Sequence, residues 1–211
     1  TQTAYVLSLH YEIYKDKNIV INNFRKRLEK DSYNIQTGFT GTPLILMTLF
    51  DNDMDDLAYR LLYNKSFPSW LYPIYLGATS IWERWDSLLP DGTINPRSMN
   101  SFNHYSYGSV CESIYSRVGG LINLSPAWKK VKIKPHVNLN KDKFYLGYKS
   151  ISGKYIIYWE ITEEKKFRMN VEIPNGCEAD VILPNGNKYY IHKGKYEFEC
   201  DLNITNITKL N

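Results

Sequence analysis

The densest chemistry in the chain lies between residues 68 and 108. Pro68-Ser69-Trp70 leads into Gly77-Ala78-Thr79-Ser80-Ile81-Trp82-Glu83-Arg84-Trp85-Asp86-Ser87, and after a polar loop come Met99-Asn100-Ser101-Phe102-Asn103-His104-Tyr105-Ser106-Tyr107-Gly108. A core helix does not carry Glu, Arg and Asp among tryptophans, so these charges either pair with one another or face a polar cleft. An ionised Glu83 could take a proton from water as a general base. It could equally form a structural bridge with Arg84 or another arginine. Asp86 stands three residues on, and if the segment is helical the two carboxylates share a face. At the start of such a helix the exposed amides favour the ionised form. Arg84 is expected to hold the loop through a carboxylate pair. His104 can donate a hydrogen bond to a ligand hydroxyl or cap its own turn. Trp70, Trp82, Trp85 and Tyr105 offer flat apolar faces that suit a sugar ring, or simply pack.

The elements that must position these groups fall into two regions. Apolar residues recur at helical spacing from about residue 3 to 121. Ala4, Leu7, Ser8 and Tyr11 begin one helix face, and Ile19, Ile21, Phe24 and Leu28 a second. Thr42-Pro43 is a start signal, with Thr as cap and Pro at the first helical position. A helix follows over 44–50, another over 53–63, a fifth over 79–88 and a sixth over 106–119, stopped by Gly119-Gly120. Short connections between helices predict antiparallel hairpins. From about residue 131 the period drops to two. Strands are expected over 131–134, 145–151, 154–161, 167–173, 179–183, 188–192 and 195–202. Ser152-Gly153, Pro174-Asn175-Gly176 and Pro184-Asn185-Gly186 turn the chain between them. The expected organisation is α+β: a helical domain over 1–122 and an antiparallel β-sandwich over 123–211.

Composition narrows the classes. The net charge of +4 comes with scattered lysines, which gives no case for nucleic acid. No apolar stretch reaches the length that spans a bilayer, so no membrane partner is expected. Three cysteines without CxxC spacing argue against a disulfide framework and a zinc site, and Cys111 is expected buried. His10, His136 and His192 are isolated, so no metal or cofactor is expected. The chain opens on Thr1 with helical periodicity already running, which reads as a fragment whose upstream part carries any export signal.

The segments over 77–87 and 100–108 closely resemble the two best-marked motifs of bacterial α-L-rhamnosidases, glycoside hydrolase family 78. Thr1-Gln2-Thr3-Ala4-Tyr5, Gly38-Phe39-Thr40-Gly41-Thr42 and Pro68-Ser69-Trp70 are similar to the helical domain of the same family. The resemblance covers about residues 1–135. It implies the C-terminal part of an (α/α)6 toroid followed by the sandwich, and hydrolysis with inversion, releasing terminal α-L-rhamnose from glycans or glycosides. Glu83 then corresponds to the general base and His104 to a contact with rhamnose. Trp82 and Trp70 join His104 as substrate-binding candidates.

Inverting hydrolysis needs a second carboxyl group on the opposite side of the sugar. The family's acidic segment carrying it has no counterpart here. Asp51, Asp53, Asp55 and Asp56 read as a solvated helix cap and first turn. The expectation is therefore a chain inactive alone, whose uncovered helical faces favour self-association. Two other readings stay open: a carbohydrate-binding module without catalysis, with Tyr155, Tyr158, Tyr189 and Tyr190 as stacking candidates on the sandwich, and a toroid hydrolase acting on another sugar.

Overall fold

The structure, a computed structural model, describes residues 1–138 and 143–202. It divides into two compact units, residues 1–111 and 112–211.

The first unit is helical. Helix α1 (Gln2–His10) is capped by Thr1, whose hydroxyl accepts from the Ala4 amide at 3.2 Å. Helix α2 (Lys17–Lys30) is capped by Asp16, which accepts from the Asn18 and Ile19 amides. It buries Phe24 and Leu28 as expected, but leaves Ile19 exposed. In α1 the buried face is Gln2, Val6 and Leu9, not the one through Tyr11, which is 61% exposed. The buried amide of Gln2 explains the rotation. Its Nε2 donates to Asp31 and to the Asn34 carbonyl at 2.8 Å each, and its Oε1 accepts from the Gln36 amide at 2.9 Å. Polar burial with every group bonded is as good an anchor as an apolar side chain.

Helix α3 (Thr42–Phe50) has Pro43 in its first turn, but Gly41 is its cap. The Thr42 hydroxyl does not cap; it turns back to Thr37 Oγ1 at 2.8 Å and the Gly38 carbonyl at 2.9 Å. Gly41 packs closely there: a Cβ would lie 3.0 Å from Thr3 Oγ1 and from Thr37, a tight contact that those side chains would have to relieve. Helix α4 (Asp55–Leu62) has Asp55 and Asp56 in its first turn, where carboxylates oppose the free amides. Asp56 also pairs with Arg25 of α2 at 3.1 Å. Ile45, Leu46, Leu49 and Phe50 of α3 and Leu57, Ala58 and Leu61 of α4 are buried and form the centre of this unit's core.

The fifth helix is not where the periodicity placed it. Helix α5 is short (Leu71–Tyr75), with the Ser69 hydroxyl accepting from the Tyr72 amide. Residues 78–100 form an irregular, internally bonded segment, with no helix. The sixth is broken into a 3-10 turn (Ser106–Ser109), helix α6 (Val110–Ser113) and a π turn (Ile114–Val118). Cys111 on it is exposed, a correction to its expected burial; Cys177 and Cys200 are the buried thiols.

The second unit is a β-sandwich. Strands β1 (Leu121–Asn123), β2 (Lys130–Ile133), β6 (Glu178–Ile182) and β7 (Lys188–Ile191) form one sheet in the order β1-β2-β6-β7. Strands β3 (Lys143–Ser150), β4 (Gly153–Ile161), β5 (Lys166–Ile173) and β8 (Gly194–Asp201) form the other, in the order β3-β4-β5-β8. Every pairing is antiparallel except β2 with β6. Alternation sends Val131, Ile133, Ala179 and Val181 inward from the first sheet and Ile157, Trp159, Phe167 and Met169 from the second. The Trp159 indole N–H donates to the Val118 carbonyl at 2.9 Å. Gly120, at φ +79°, sits where a Cβ would meet the Pro135 nitrogen at 2.3 Å, so only glycine fits between the π turn and β1. Among the described residues no helix is long and apolar enough to cross a membrane.

Candidate active site

Two stretches of chain carry the site, and they are laced side by side. The Glu83 amide donates to the Ser101 carbonyl at 2.8 Å, and the His104 amide donates to the Ile81 carbonyl at 2.8 Å. The Ser80 hydroxyl adds a bond to the Phe102 carbonyl at 2.5 Å. These cross-bonds take up backbone groups that a helix would have used internally, which is the physical reason 79–88 is not helical. Glu83 and Asp86 therefore do not share a helical face. Asp86 is held by Arg84, Nε to Oδ1 at 3.1 Å and a guanidinium nitrogen to Oδ2 at 3.5 Å, the loop-holding pair the sequence suggested.

Glu83 is half-buried. Its Oε2 accepts from the Ser101 amide at 2.9 Å, and among the described residues Oε1 has no hydrogen-bond partner. Glu83 lines an open cavity of about 560 Å³, whose wall also includes Arg84, Trp85, Asp86, Arg97, Met99 and Tyr107 together with residues 35–39 and 67–68. A volume of that order is in the range of small-molecule sites. The Gln2 amide that holds Asn34 and Gln36 thereby fixes part of this wall.

The aromatic residues form a continuous series. The Trp70 indole N–H donates to the Tyr107 carbonyl at 3.1 Å, and its ring stands edge-on to Trp85. Trp85 stacks on Tyr107 with centroids 3.8 Å apart and planes 6° from parallel. Phe39 lies 5.3 Å from Tyr107 and stacks against His104 at 5.2 Å, and His104 in turn stacks on Tyr105. The His104 imidazole thus stacks against two rings. Its Nδ1 accepts from the Ser106 amide at 3.3 Å, which in the neutral tautomer places the proton on Nε2, free to donate. Burial pushes the Tyr107 phenol above its ordinary pKa; Asp86 and Glu83 add to that effect and Arg84 opposes it.

Trp70 and Trp82 are buried, 7% and 5% exposed. Trp82 packs edge-on against Phe102. Trp85 and Tyr107 reach the cavity wall in their place. Phe39, Ser101 and Arg97 were not singled out from sequence. Phe39 lay inside the quoted 38–42 motif, and Ser101 inside the second one, so position within a motif was the available signal. Among the described residues no group of three His, Cys, Asp or Glu is placed to hold a metal ion.

A helical unit with a cavity lined by Glu83 and Asp86, followed by a two-sheet unit, is the arrangement of a six-hairpin glycosidase segment joined to a sheet-rich C-terminal domain. Residues 1–118 match the bacterial α-L-rhamnosidase six-hairpin glycosidase domain and residues 120–198 the bacterial α-L-rhamnosidase C-terminal domain. The chain belongs to the bacterial α-L-rhamnosidase family. It is 36% identical to an α-L-rhamnosidase of Streptomyces avermitilis over 186 residues, covering 87% of this chain and 18% of that protein. It is also 36% identical to one from Formosa agariphila over 190 residues, covering 89% and 20%. Among solved structures, the native α-L-rhamnosidase of Aspergillus terreus superposes with a TM-score of 0.90 at 31% identity, covering 94% of this chain and 24% of the other. The Streptomyces avermitilis α-L-rhamnosidase complexed with L-rhamnose gives 0.89 at 31%, covering 95% and 22%. The chain spans about a fifth of the length of the curated relatives it matches.

Proposed function

We propose that this chain supplies the base-side half of an inverting α-L-rhamnosidase site, with Glu83 as general base and His104 as a contact to the sugar. The observation that carries the reading is the state of the Glu83 carboxylate: one oxygen is held by the Ser101 amide, the other has no hydrogen-bond partner among the described residues, and Glu83 lines an open cavity. A carboxylate fixed at one oxygen presents the other to a water molecule in a defined direction, and that water attacks the anomeric carbon as Glu83 takes its proton. His104 donates from Nε2 to a sugar hydroxyl, its plane set by Phe39 and Tyr105. Trp70 and Trp82 serve the substrate from behind, by seating Trp85 and Phe102.

The carboxyl groups around the cavity are Glu83 and Asp86, and Asp86 is neutralised by Arg84. The general acid is therefore proposed to come from sequence outside this chain, and the chain alone is expected to be inactive. Exposed Ile13, Ile19, Ile74 and Tyr75 give the helical unit apolar faces through which we expect self-association; a sedimentation run showing only monomer at micromolar concentration would contradict that.

The test is a paired assay on p-nitrophenyl α-L-rhamnoside, using this chain and a longer polypeptide that spans a complete six-hairpin domain, each with and without Glu83→Gln. Activity in the longer polypeptide alone, abolished by Glu83→Gln, is the expected result. Activity in this chain by itself would place an acid within it. Inactivity of both on rhamnosides would move the function to another sugar or to binding.

A further inference from the structure

The Ser101 amide that holds Glu83 is itself held from behind. The chain reaches it through Met99, whose φ of +55° is a conformation that residues with side chains rarely adopt. Such a residue is strained and persists only where its surroundings fix it. The Met99 side chain is 75% exposed, so it has little packing with which to do so. The fixing comes from the next residue.

Asn100 spans two backbone carbonyls. Its Nδ2 donates to the Asn95 carbonyl at 3.0 Å and to the Ser87 carbonyl at 3.2 Å. The Ser87 carbonyl also accepts from the Asn95 amide at 3.0 Å. Asn95, 5% exposed, donates from its own Nδ2 to the Asp86 carbonyl at 3.1 Å. Ser87 is tied back to Arg84, its hydroxyl donating to the Arg84 carbonyl at 3.0 Å. One end of this set of bonds is the segment that carries Glu83, and the other is the residue that precedes the Ser101 amide. Among the described residues Asn100 Oδ1 is buried and makes no hydrogen bond. A reversed amide would set that oxygen against two carbonyls, so the donors are what the position uses. Asn100 does not line the cavity. Any effect it has on the chemistry passes through Ser101 and Glu83.

We propose that Asn100 is a positioning residue for the reaction: its two bonds set the peptide plane whose N–H holds Glu83 Oε2, and with it the direction in which Oε1 is presented. The inference rests on the reading of Glu83 as general base. With the Asn100 donors gone, the Ser101 peptide is free to turn. The sugar still binds beside His104, but the base is aligned with the attacking water less of the time. Misalignment of that kind falls on kcat and spares KM.

The test is a double-mutant cycle in the longer polypeptide of the assay above, on p-nitrophenyl α-L-rhamnoside. Asn100→Ala is expected to lower kcat about tenfold, with KM within about twofold of wild type. In a Glu83→Ala background, where no carboxylate remains to be aimed, Asn100→Ala is expected to change the residual rate less than about twofold. Asn100→Asp, of the same shape but unable to donate when ionised, is the second variant and is expected to repeat the pattern. An equal loss in both backgrounds would make Asn100 a merely structural residue and overturn the proposal. Wild-type kcat in both Asn100 variants, or a loss confined to KM, would overturn it too. Failure of the Glu83 reading appears separately, as Glu83→Ala retaining the wild-type rate with Asn100 intact.

Discussion

Glu83 and Ser101 are bonded twice: the Glu83 amide donates to the Ser101 carbonyl at 2.8 Å, and the Ser101 amide donates to Glu83 Oε2 at 2.9 Å. The first bond fixes the backbone under the carboxylate and the second fixes the carboxylate itself, so one residue sets both position and direction.

Removing the amide donor of Ser101 should therefore act on chemistry. Ser101→Pro has no N–H to give Oε2, and kcat in the active, longer polypeptide is expected to fall by roughly 10- to 100-fold, the scale of one hydrogen bond to a charged group. Ser101→Ala keeps the amide and loses only the hydroxyl's local bonds with Asn103. It should stay close to wild type. Steady-state rates of the two variants side by side separate loss of the donor from loss of the side chain.

Phe39 backs the His104 ring with planes 13° from parallel. Phe39→Ala is expected to raise KM for the rhamnoside a few-fold through loss of an aromatic pair worth about 1 kcal/mol. Because Phe39 is 44% exposed, the thermal midpoint should move little. A large fall in thermal stability with unchanged KM would assign Phe39 to packing alone.

Gln2 is fully buried and makes three hydrogen bonds to residues 31–36. Gln2→Leu leaves the Asn34 carbonyl and the Gln36 amide without that partner and is expected to destabilise the helical unit by roughly 2–4 kcal/mol in urea unfolding. Gln2→Glu places a carboxylate against Asp31, which already accepts from Arg27 at 2.7 Å. That variant should be destabilised at neutral pH and recover as pH falls and the new acid is protonated.

The three thiols should report the fold directly. Cys111 is exposed, Cys177 and Cys200 are buried, and burial pushes the Cys200 thiol above its ordinary pKa. A thiol reagent at neutral pH is expected to modify one cysteine fast and two slowly, with all three fast in guanidinium. Fast modification of two or three in the native protein would contradict the sandwich core.

The sandwich was legible because its signals are local. Period-two alternation and the Asn-Gly turns at 175–176 and 185–186 set strand and turn together, and only the three-residue β1 was too short to register. The first four helices were legible for the same reason, although the face of α1 was not: its rotation depends on the Gln2 amide reaching residues 31–36, which no local pattern encodes. Residues 79–88 misled because Trp82, Glu83, Trp85 and Asp86 fall at helical spacing while the Ile81 carbonyl and the Glu83 amide bond to His104 and Ser101. Glu83 and His104 were singled out through a resemblance, and their roles stand as proposals. The ring column around His104 and the Asn100 bonds were not legible, since both arise from contacts between residues far apart in sequence.

The most direct measurement of the central claim is chemical rescue at Glu83. In the active, longer polypeptide, Glu83→Ala is expected to lose at least about a hundredfold in rate on p-nitrophenyl α-L-rhamnoside. Added azide, occupying the space the base has vacated, should restore turnover and yield β-L-rhamnosyl azide by attack from the Glu83 side. A Glu83→Ala variant that keeps the wild-type rate, or rescue that gives the α-azide, would contradict the account.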